Sequence, residues 1–280
     1  MKIAVVGGGS TYTPELIEGF ARRAGVLAVD ELVLQDVSAD RLDVVGGLAR
    51  RILAAQRFPG RLVTTTSLES AVDGAVAVLV QLRVGGQQAR LVDETLPGRF
   101  GLLGQETTGP GGFAKALRTV PVVLEIADTV AKLAGPGAWI VDFTNPVGIV
   151  TRALLDAGHR AVGLCNSAIG FQRQLAGLFG VGPDRVRLDH AGLNHLTWIR
   201  KVEVDGVDRL PELLDSPGLR EVAAGSGLPP ELLRTLRAIP SYYLHYFYCT
   251  DEAVRAQASG PQRAEQVLEI ERTLLEMYAD

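Results

Sequence analysis

The sequence predicts an α/β protein: a Rossmann-like, doubly wound parallel sheet followed by a second α+β domain. Three observations carry that expectation. The chain opens on an apolar run that reaches three consecutive glycines, Gly7-Gly8-Gly9, then a Ser10-Thr11 turn and Pro14 at the head of a helical pattern. Continuous apolar runs at 75–82 and 138–143 read as strands buried on both faces of a parallel sheet. Strand and helix patterns alternate through the first part of the chain, the rhythm of βαβ units.

Taken in order, the opening strand leads into a helix over 15–24, where Pro14 suits the first turn because its missing N–H is no loss there. A strand over 31–35 ends at Asp36, and a helix over 40–56 follows with Asp40 as its candidate cap. Strands at 61–65 and 75–82, a long helix over 111–133 and a strand at 138–143 come next. A helix over 147–157, a strand at 161–164 and a helix over 169–179 complete the alternation. From about Arg185 the texture changes. Residues 196–204 followed by Asp205-Gly206 read as a hairpin, 218–230 as loop, 241–248 as an aromatic cluster and 261–278 as a helix. The expected division is 1–187 for the nucleotide-binding domain and 188–280 for the second domain.

Composition narrows the function. The 280 residues carry a formal net charge of −4 with no basic block, so nucleic acid has no electrostatic footprint, although a few local arginines can still hold an anionic substrate. Two cysteines, Cys165 and Cys249, make no disulfide framework and fit a reducing cytoplasm. The first strand and glycine loop leave no room for a signal peptide, and no apolar run approaches the roughly 20 residues of a membrane span.

The glycine loop lets the backbone turn tightly and approach a pyrophosphate, with N–H groups at the helix start facing the anion. Its fingerprint is incomplete, because Gly7 and Gly9 fit the first two glycines while Tyr12 stands at the third. Without a ligand the loop is a plain strand-to-helix turn. Asp36 raises the odds of a dinucleotide, since a carboxylate there accepts hydrogen bonds from ribose hydroxyls and favours NAD over NADP. Cys165 taken alone reads as a small core residue, and His195 as a hydrogen-bonded structural histidine. One thiolate and one imidazole are too few for a closed structural zinc site but could hold a catalytic metal that keeps open positions.

Further strings stand in a telling order: Arg83-Val84-Gly85-Gly86, Arg90, Asp93-Glu94, Gly104-Gln105-Glu106-Thr107, Thr144-Asn145-Pro146, Cys165-Asn166 and Gly192-Leu193-Asn194-His195-Leu196. Together with the opening Gly-Gly-Gly-Ser-x-Tyr-Thr-Pro, this set resembles glycoside hydrolase family 4, the NAD- and divalent-metal-dependent phospho-glycosidases, and most closely its 6-phospho-β-glucosidase branch. The resemblance runs from Met1 to the last residues. Family members generally continue further, which implies a C-terminally truncated chain.

The resemblance implies a role for each matched residue. Gly7, Gly8, Gly9, Ser10, Thr11, Asp36 and Arg41 would hold NAD. Cys165 and His195 would ligate Mn²⁺ or another divalent metal. Arg90, Asn145, Asn166 and Arg263 would contact substrate. Tyr243, in Tyr243-Leu244-His245-Tyr246-Phe247-Tyr248, would be the base, with Tyr242 and Tyr246 as alternates and Glu106 raising its basicity. For most of that aromatic run, simple core packing is the competing reading. His245 stands where the family has arginine, and Ser167-Ala168 depart from its usual Val-Pro or Met-Pro. Asn166 replaces the aspartic acid of α-type relatives; an amide cannot protonate a leaving group, which points to the β-type branch.

Ordinary glycosidases use paired carboxylates, and this family is an exception. Its implied reaction is oxidation at the sugar's C3 by NAD, removal of the C2 proton, elimination at C1, addition of water and return of the hydride, with the metal stabilising charge on the C2 and C3 oxygens. The implied substrate is a phosphorylated disaccharide or aryl glucoside, and the implied assembly a homo-oligomer, a dimer or tetramer. Two other readings remain open from sequence. One is an NAD-dependent 2-hydroxy acid dehydrogenase; the other is a non-catalytic NAD- or sugar-phosphate-binding protein.

Overall fold

Short runs of consecutive apolar residues decide the first sheet. The computed structural model describes residues 1–260 and 262–280. Its first elements are β1 (Lys2–Val6), α1 (Thr13–Arg22), β2 (Glu31–Gln35), α2 (Ala39–Ala55), β3 (Arg61–Thr65) and α3 (Leu68–Val72). Then come β4 (Ala77–Val80), α4 (Gly86–Thr95), α5 (Gly109–Leu133), β5 (Trp139–Asp142), α6 (Val147–Asp156) and β6 (Ala161–Gly163). All six strands are parallel, in the order β3-β2-β1-β4-β5-β6. The expected doubly wound sheet is therefore present. Its order reverses between β1 and β4, the switch point where such sheets leave a crevice at their carboxyl ends.

The period of two along the strands sorts the core. Ile3 and Val5 of β1, with Leu32 and Leu34 of β2, pack with Ile17 of α1 and Leu42, Ala49 and Leu53 of α2. Ala4 and Val6, with Val78 and Val80 of β4, pack on the opposite face with Val123, Ile126 and Val130 of α5 and Val150 and Leu154 of α6. Each fully buried aliphatic side chain stabilises by about 1.5–3 kcal/mol relative to exposure.

Local chemistry corrects some boundaries. The cap of α2 is Ser38, not Asp40: the Ser38 hydroxyl accepts the Arg41 N–H at 3.3 Å. Neither α3 nor α4 was expected. The buried side chains of α4 are Arg90, Asp93 and Glu94, so its inward face carries no apolar stripe to betray a helix.

The chain then builds α7 (Ser167–Phe179), β7 (Val186–Leu193), β8 (Leu196–Val204), β9 (Val207–Asp208), α8 (Leu210–Asp215) and α9 (Leu219–Ser226). It continues through α10 (Pro230–Leu236), β10 (Ile239–Pro240), α11 (His245–Tyr248) and α12 (Thr250–Ser259). β7, β8, β9 and β10 pair antiparallel around β8, and the turn after β8 is the expected Asp205-Gly206, with φ of 50° and 84°. The stretch expected as loop contains α9, which buries Leu219, Val222 and Ala223. Its apolar face packs in a core with Phe171, Leu175, Ile199, Val202, Leu213, Leu233 and Ile239.

Two compact units result, with the division after Leu164 and not near residue 187. The reason is α7, whose Phe171, Leu175 and Ala176 belong to the second core. Nor is 188–280 continuous. The last helix, α13 (Arg263–Ala279), packs on α2 and α4 in the first unit. Glu94 fixes its start, accepting the Ala264 N–H at 2.7 Å. Pro261, at the head of the expected helix, lies outside the described residues. Among the described residues, no helix is long and apolar enough to cross a membrane.

Candidate functional site

In the first unit the glycine loop is tied to β2. Gly7 and Gly8 donate to the Gln35 carbonyl at 2.9 and 2.7 Å, and Gly9 donates to Asp36 Oδ2 at 3.0 Å. These three N–H groups are therefore engaged within the protein, so donors for an anion come from the helix start. The glycines are needed for close approach. Gly7 has φ of 87°, and a Cβ there would lie 2.5 Å from the Gln81 carbonyl oxygen. Gln81 pins the same turn, donating to the Gly7 carbonyl at 3.2 Å and to Thr13 Oγ1 at 2.8 Å.

Tyr12, standing at the third glycine position, is 63% exposed, while its neighbour Thr13 is the buried residue. Ser10 shapes the helix start, its hydroxyl accepting the Tyr12 N–H at 3.3 Å and its carbonyl the Thr13 N–H at 3.0 Å. Thr11 offers its carbonyl to the Tyr278 hydroxyl at 3.1 Å. Asp36 Oδ1 accepts the Ser38 N–H at 3.0 Å, and Arg41 donates from Nε to the Gly9 carbonyl at 2.9 Å. A glycine loop at the end of β1, beside the switch point, with a carboxylate at the end of β2, fits a dinucleotide's pyrophosphate and ribose.

A buried charge cluster lies in the same unit. Glu106 Oε2 accepts from Arg83 Nη1 and Lys115 Nζ, both at 2.6 Å, and Arg90 Nη2 lies 3.3 Å from Oε1. Burial disfavours the Glu106 carboxylate, but Lys115, Arg83 and Arg90 outweigh it and hold its pKa at about 2. Lys115 is nearly fully buried, which lowers its pKa to about 8 even though Glu106 pulls it upward. Glu106 thus stays ionised at neutral pH. Arg90 is buried too, and its Nε donates to Glu94 at 2.7 Å.

Asn145 is half-buried and precedes Pro146 across a cis peptide at the carboxyl edge of the sheet. Arg263 is exposed on the first turn of α13, donating to Gln266 at 3.1 Å.

In the second unit the structure brings the predicted metal ligands together. Cys165 follows the last strand of the first sheet, and His195 sits in the two-residue turn between β7 and β8 at φ of 65°. That backbone region is uncommon for a non-glycine residue and often marks a functional position. Cys165 Sγ lies 3.4 Å from His195 Nε2. A sulfur and a nitrogen bound about 2.3 and 2.0 Å from one ion at near-tetrahedral to right angles stand roughly 3.1–3.5 Å apart. The donor pair therefore fits a shared divalent ion. No group of three or more His, Cys, Asp or Glu suited to a metal occurs among the described residues.

Tyr243 stacks on His195, with ring centroids 3.5 Å apart and planes at 11°. Tyr242 bonds Ser167 Oγ through its hydroxyl at 3.2 Å, and Ser167 Oγ lies 3.3 Å from Cys165 Sγ. Ser167 thus links the thiol to the tyrosine pair, a role its residue type did not announce. His245, in place of the family's arginine, has Nδ1 at 2.8 Å from the Gly227 carbonyl. A carbonyl only accepts, so Nδ1 carries the proton and the ring anchors the loop after α9. Tyr248 accepts from Trp198 Nε1 at 3.1 Å against the second core. Asn166 is exposed at the N-cap of α7. The sequence marks Ser167 only as a departure from the family's pattern, with no sign of its link to Cys165 and Tyr242. Lys115 left a signal, a lysine in phase with the buried Gly111, Gly112 and Thr119 of α5.

Comparison with known proteins adds the following. The model of the family 4 glycosyl hydrolases matches residues 2–181, and that of the family 4 glycosyl hydrolase C-terminal domain matches residues 190–280. The chain is 40% identical to the "Probable 6-phospho-beta-glucosidase" of Bacillus subtilis over all of its own length and 66% of that protein's. Against the 6-phospho-beta-glucosidase of Escherichia coli it is 37% identical over 99% of its own length and 65% of the other's. The chain therefore spans just under two thirds of these relatives. A structure of the 6-phospho-beta glucosidase from Thermotoga maritima with manganese, NAD+ and glucose-6-phosphate superposes with a TM-score of 0.92 at 35% identity, covering 100% of this chain and 68% of that one. Malate dehydrogenase from Salinibacter ruber gives 0.58 at 15% identity over 87% of this chain and 72% of that one, a likeness of fold alone.

Proposed function

The chain belongs to family 4 of the glycosyl hydrolases, and on that footing we propose that it hydrolyses 6-phospho-β-glucosides with NAD and a divalent metal, manganese first among them. The observation that carries the proposal is the convergence of Cys165, His195 and Tyr243. A dehydrogenase of 2-hydroxy acids has no use for a thiol and an imidazole poised to share an ion beneath a stacked tyrosine. Supporting it are the names of the relatives and the ligands in the Thermotoga maritima structure.

Gly7 to Thr11, Asp36 and Arg41 would hold the dinucleotide, and Cys165 and His195 the metal. When bound, the two supply reversible hydride uptake at the sugar's C3 and Lewis-acid stabilisation of charge on its C2 and C3 oxygens. The protein's own residues do the rest. Tyr243 takes the C2 proton; a tyrosine ordinarily ionises near pH 10, so it needs a neighbouring cation to act near neutrality. Its stacking on His195 fixes the phenol beside the proposed ligand pair. Asn145, Asn166, Arg90 and Arg263 orient the phosphorylated sugar, a guanidinium suiting phosphate by its planar fork. Glu106, kept anionic by its three cations, sets the local potential.

Asn166 favours the β-glycoside, because an amide leaves protonation of the departing oxygen to water or another group. The substitution Tyr243→Phe tests the assignment. It should lower kcat on an aryl 6-phospho-β-glucoside by about 100-fold or more, the usual contribution of a general base, with melting temperature and NAD binding preserved. Full turnover in Tyr243→Phe would remove Tyr243 from the role.

A further inference from the structure

Glu271 lies on α13, remote in sequence from the glycine loop, yet its carboxylate is engaged there. Oε1 pairs with Arg41 Nη1 at 2.5 Å, and Oε2 accepts from Gln87 Nε2 at 2.6 Å. Arg41 in turn donates from Nε to the Gly9 carbonyl at 2.9 Å. The same helix reaches the loop again through Tyr278, whose hydroxyl donates to the Thr11 carbonyl at 3.1 Å. The Glu271 side chain is 13% exposed and that of Arg41 33%, so solvent screens this pair less than an ordinary surface ion pair.

Rossmann-type sites choose between dinucleotides at the end of the second strand. A carboxylate there accepts the ribose hydroxyls of NAD, and a nearby arginine takes the 2′-phosphate of NADP. This chain has both groups, Asp36 and Arg41, so residue type alone does not decide. The contacts do. Asp36 is fixed by the N–H groups of Gly9 and Ser38. Arg41 is held on Gly9 by one edge and neutralised by Glu271 at another, and Gln87 holds Glu271 in place. The formal charges of Asp36, Arg41 and Glu271 sum to one net negative, which repels a 2′-phosphate.

We propose that Glu271 is a positioning residue that makes the loop selective for NAD over NADP by withholding the Arg41 guanidinium from a 2′-phosphate. The proposal rests on the dinucleotide reading above. Neutralising Glu271 should convert the trio from net negative to neutral and release Arg41.

The test measures dissociation constants of NADH and NADPH by fluorescence for the wild type, Glu271→Gln and the double variant Glu271→Gln/Arg41→Met. Wild type should prefer NADH. Glu271→Gln should tighten NADPH by about tenfold, as expected for freeing a guanidinium toward phosphate in a partly buried site, and move NADH by less than about threefold. The double variant should lose the gain, because Arg41 is its source. Circular-dichroism melts report folding, and Glu271→Asp, which withdraws the carboxylate by one methylene, should move the NADPH:NADH ratio the same way by less if the glutamine variant is unstable. An unchanged ratio in folded variants, a gain that survives loss of Arg41, or equal affinities in the wild type would overturn the proposal. A wild type that binds neither dinucleotide would overturn the cofactor reading itself, and the proposal with it.

Discussion

Asp142 offers a quantitative test of the sheet's carboxyl edge. It ends β5, is fully buried, and accepts the Thr144 N–H on Oδ1 at 3.0 Å. Its Oδ2 and the Thr151 hydroxyl are both buried without a partner of full hydrogen-bond geometry. Burial raises its pKa to about 7, and the Thr144 and Thr151 groups offset only part of that. The folded state therefore keeps a proton that the unfolded chain, with an ordinary carboxyl near 3.8, has released. The stabilising contribution is complete below that ordinary value and is lost as pH rises through about 7. Each pH step of one across which only the unfolded chain is ionised costs the fold about 1.4 kcal/mol. From pH 5 to pH 8 this one group should therefore remove about 3 kcal/mol. Asp142→Asn cannot ionise, keeps the acceptor for Thr144 and offers an N–H toward Thr151. Urea denaturation at the two pH values should show the variant gaining about 3 kcal/mol on wild type between pH 5 and pH 8. A stability difference independent of pH would refute the reasoning.

Removing one partner from the buried Glu106 cluster should be costly. Lys115→Met should lose about 3 kcal/mol in urea melts, since a buried carboxylate loses its closest ammonium while Arg83 and Arg90 remain; a loss below about 1 kcal/mol would mean that the arginines suffice. In the second unit, Cys165→Ser should weaken Mn²⁺ binding at least tenfold by isothermal titration, as expected when a soft ligand is exchanged for a poor one. Unchanged binding would place the metal elsewhere.

The strands of the first sheet were legible because each has an apolar centre, with Gly7 and Asp36 closing β1 and β2. The pairing of Cys165 with His195, the proposed ligands, was legible only through the resemblance, since 30 residues separate them in the chain. What stayed hidden has physical causes. α4 turns Arg90, Asp93 and Glu94 inward, inverting the amphipathic signal. Glu106's partners come from three different segments, so no local spacing records the cluster. The division after Leu164 was missed because α7 continues the strand–helix rhythm while packing into the second core. The return of α13 to the first unit depends on Glu94 and Glu271, ordinary surface types in sequence that are partly or wholly buried in the fold.

The central claim is a hydrolase that uses its dinucleotide catalytically. The most direct measurement is release of p-nitrophenol from p-nitrophenyl-β-glucoside 6-phosphate, with NAD and Mn²⁺ present together, singly and absent, under reducing conditions. The account predicts product only when both are present, in many-fold excess over NAD and without lasting absorbance at 340 nm. Product independent of NAD and metal, NADH accumulating in step with product, or no product under any combination would contradict it.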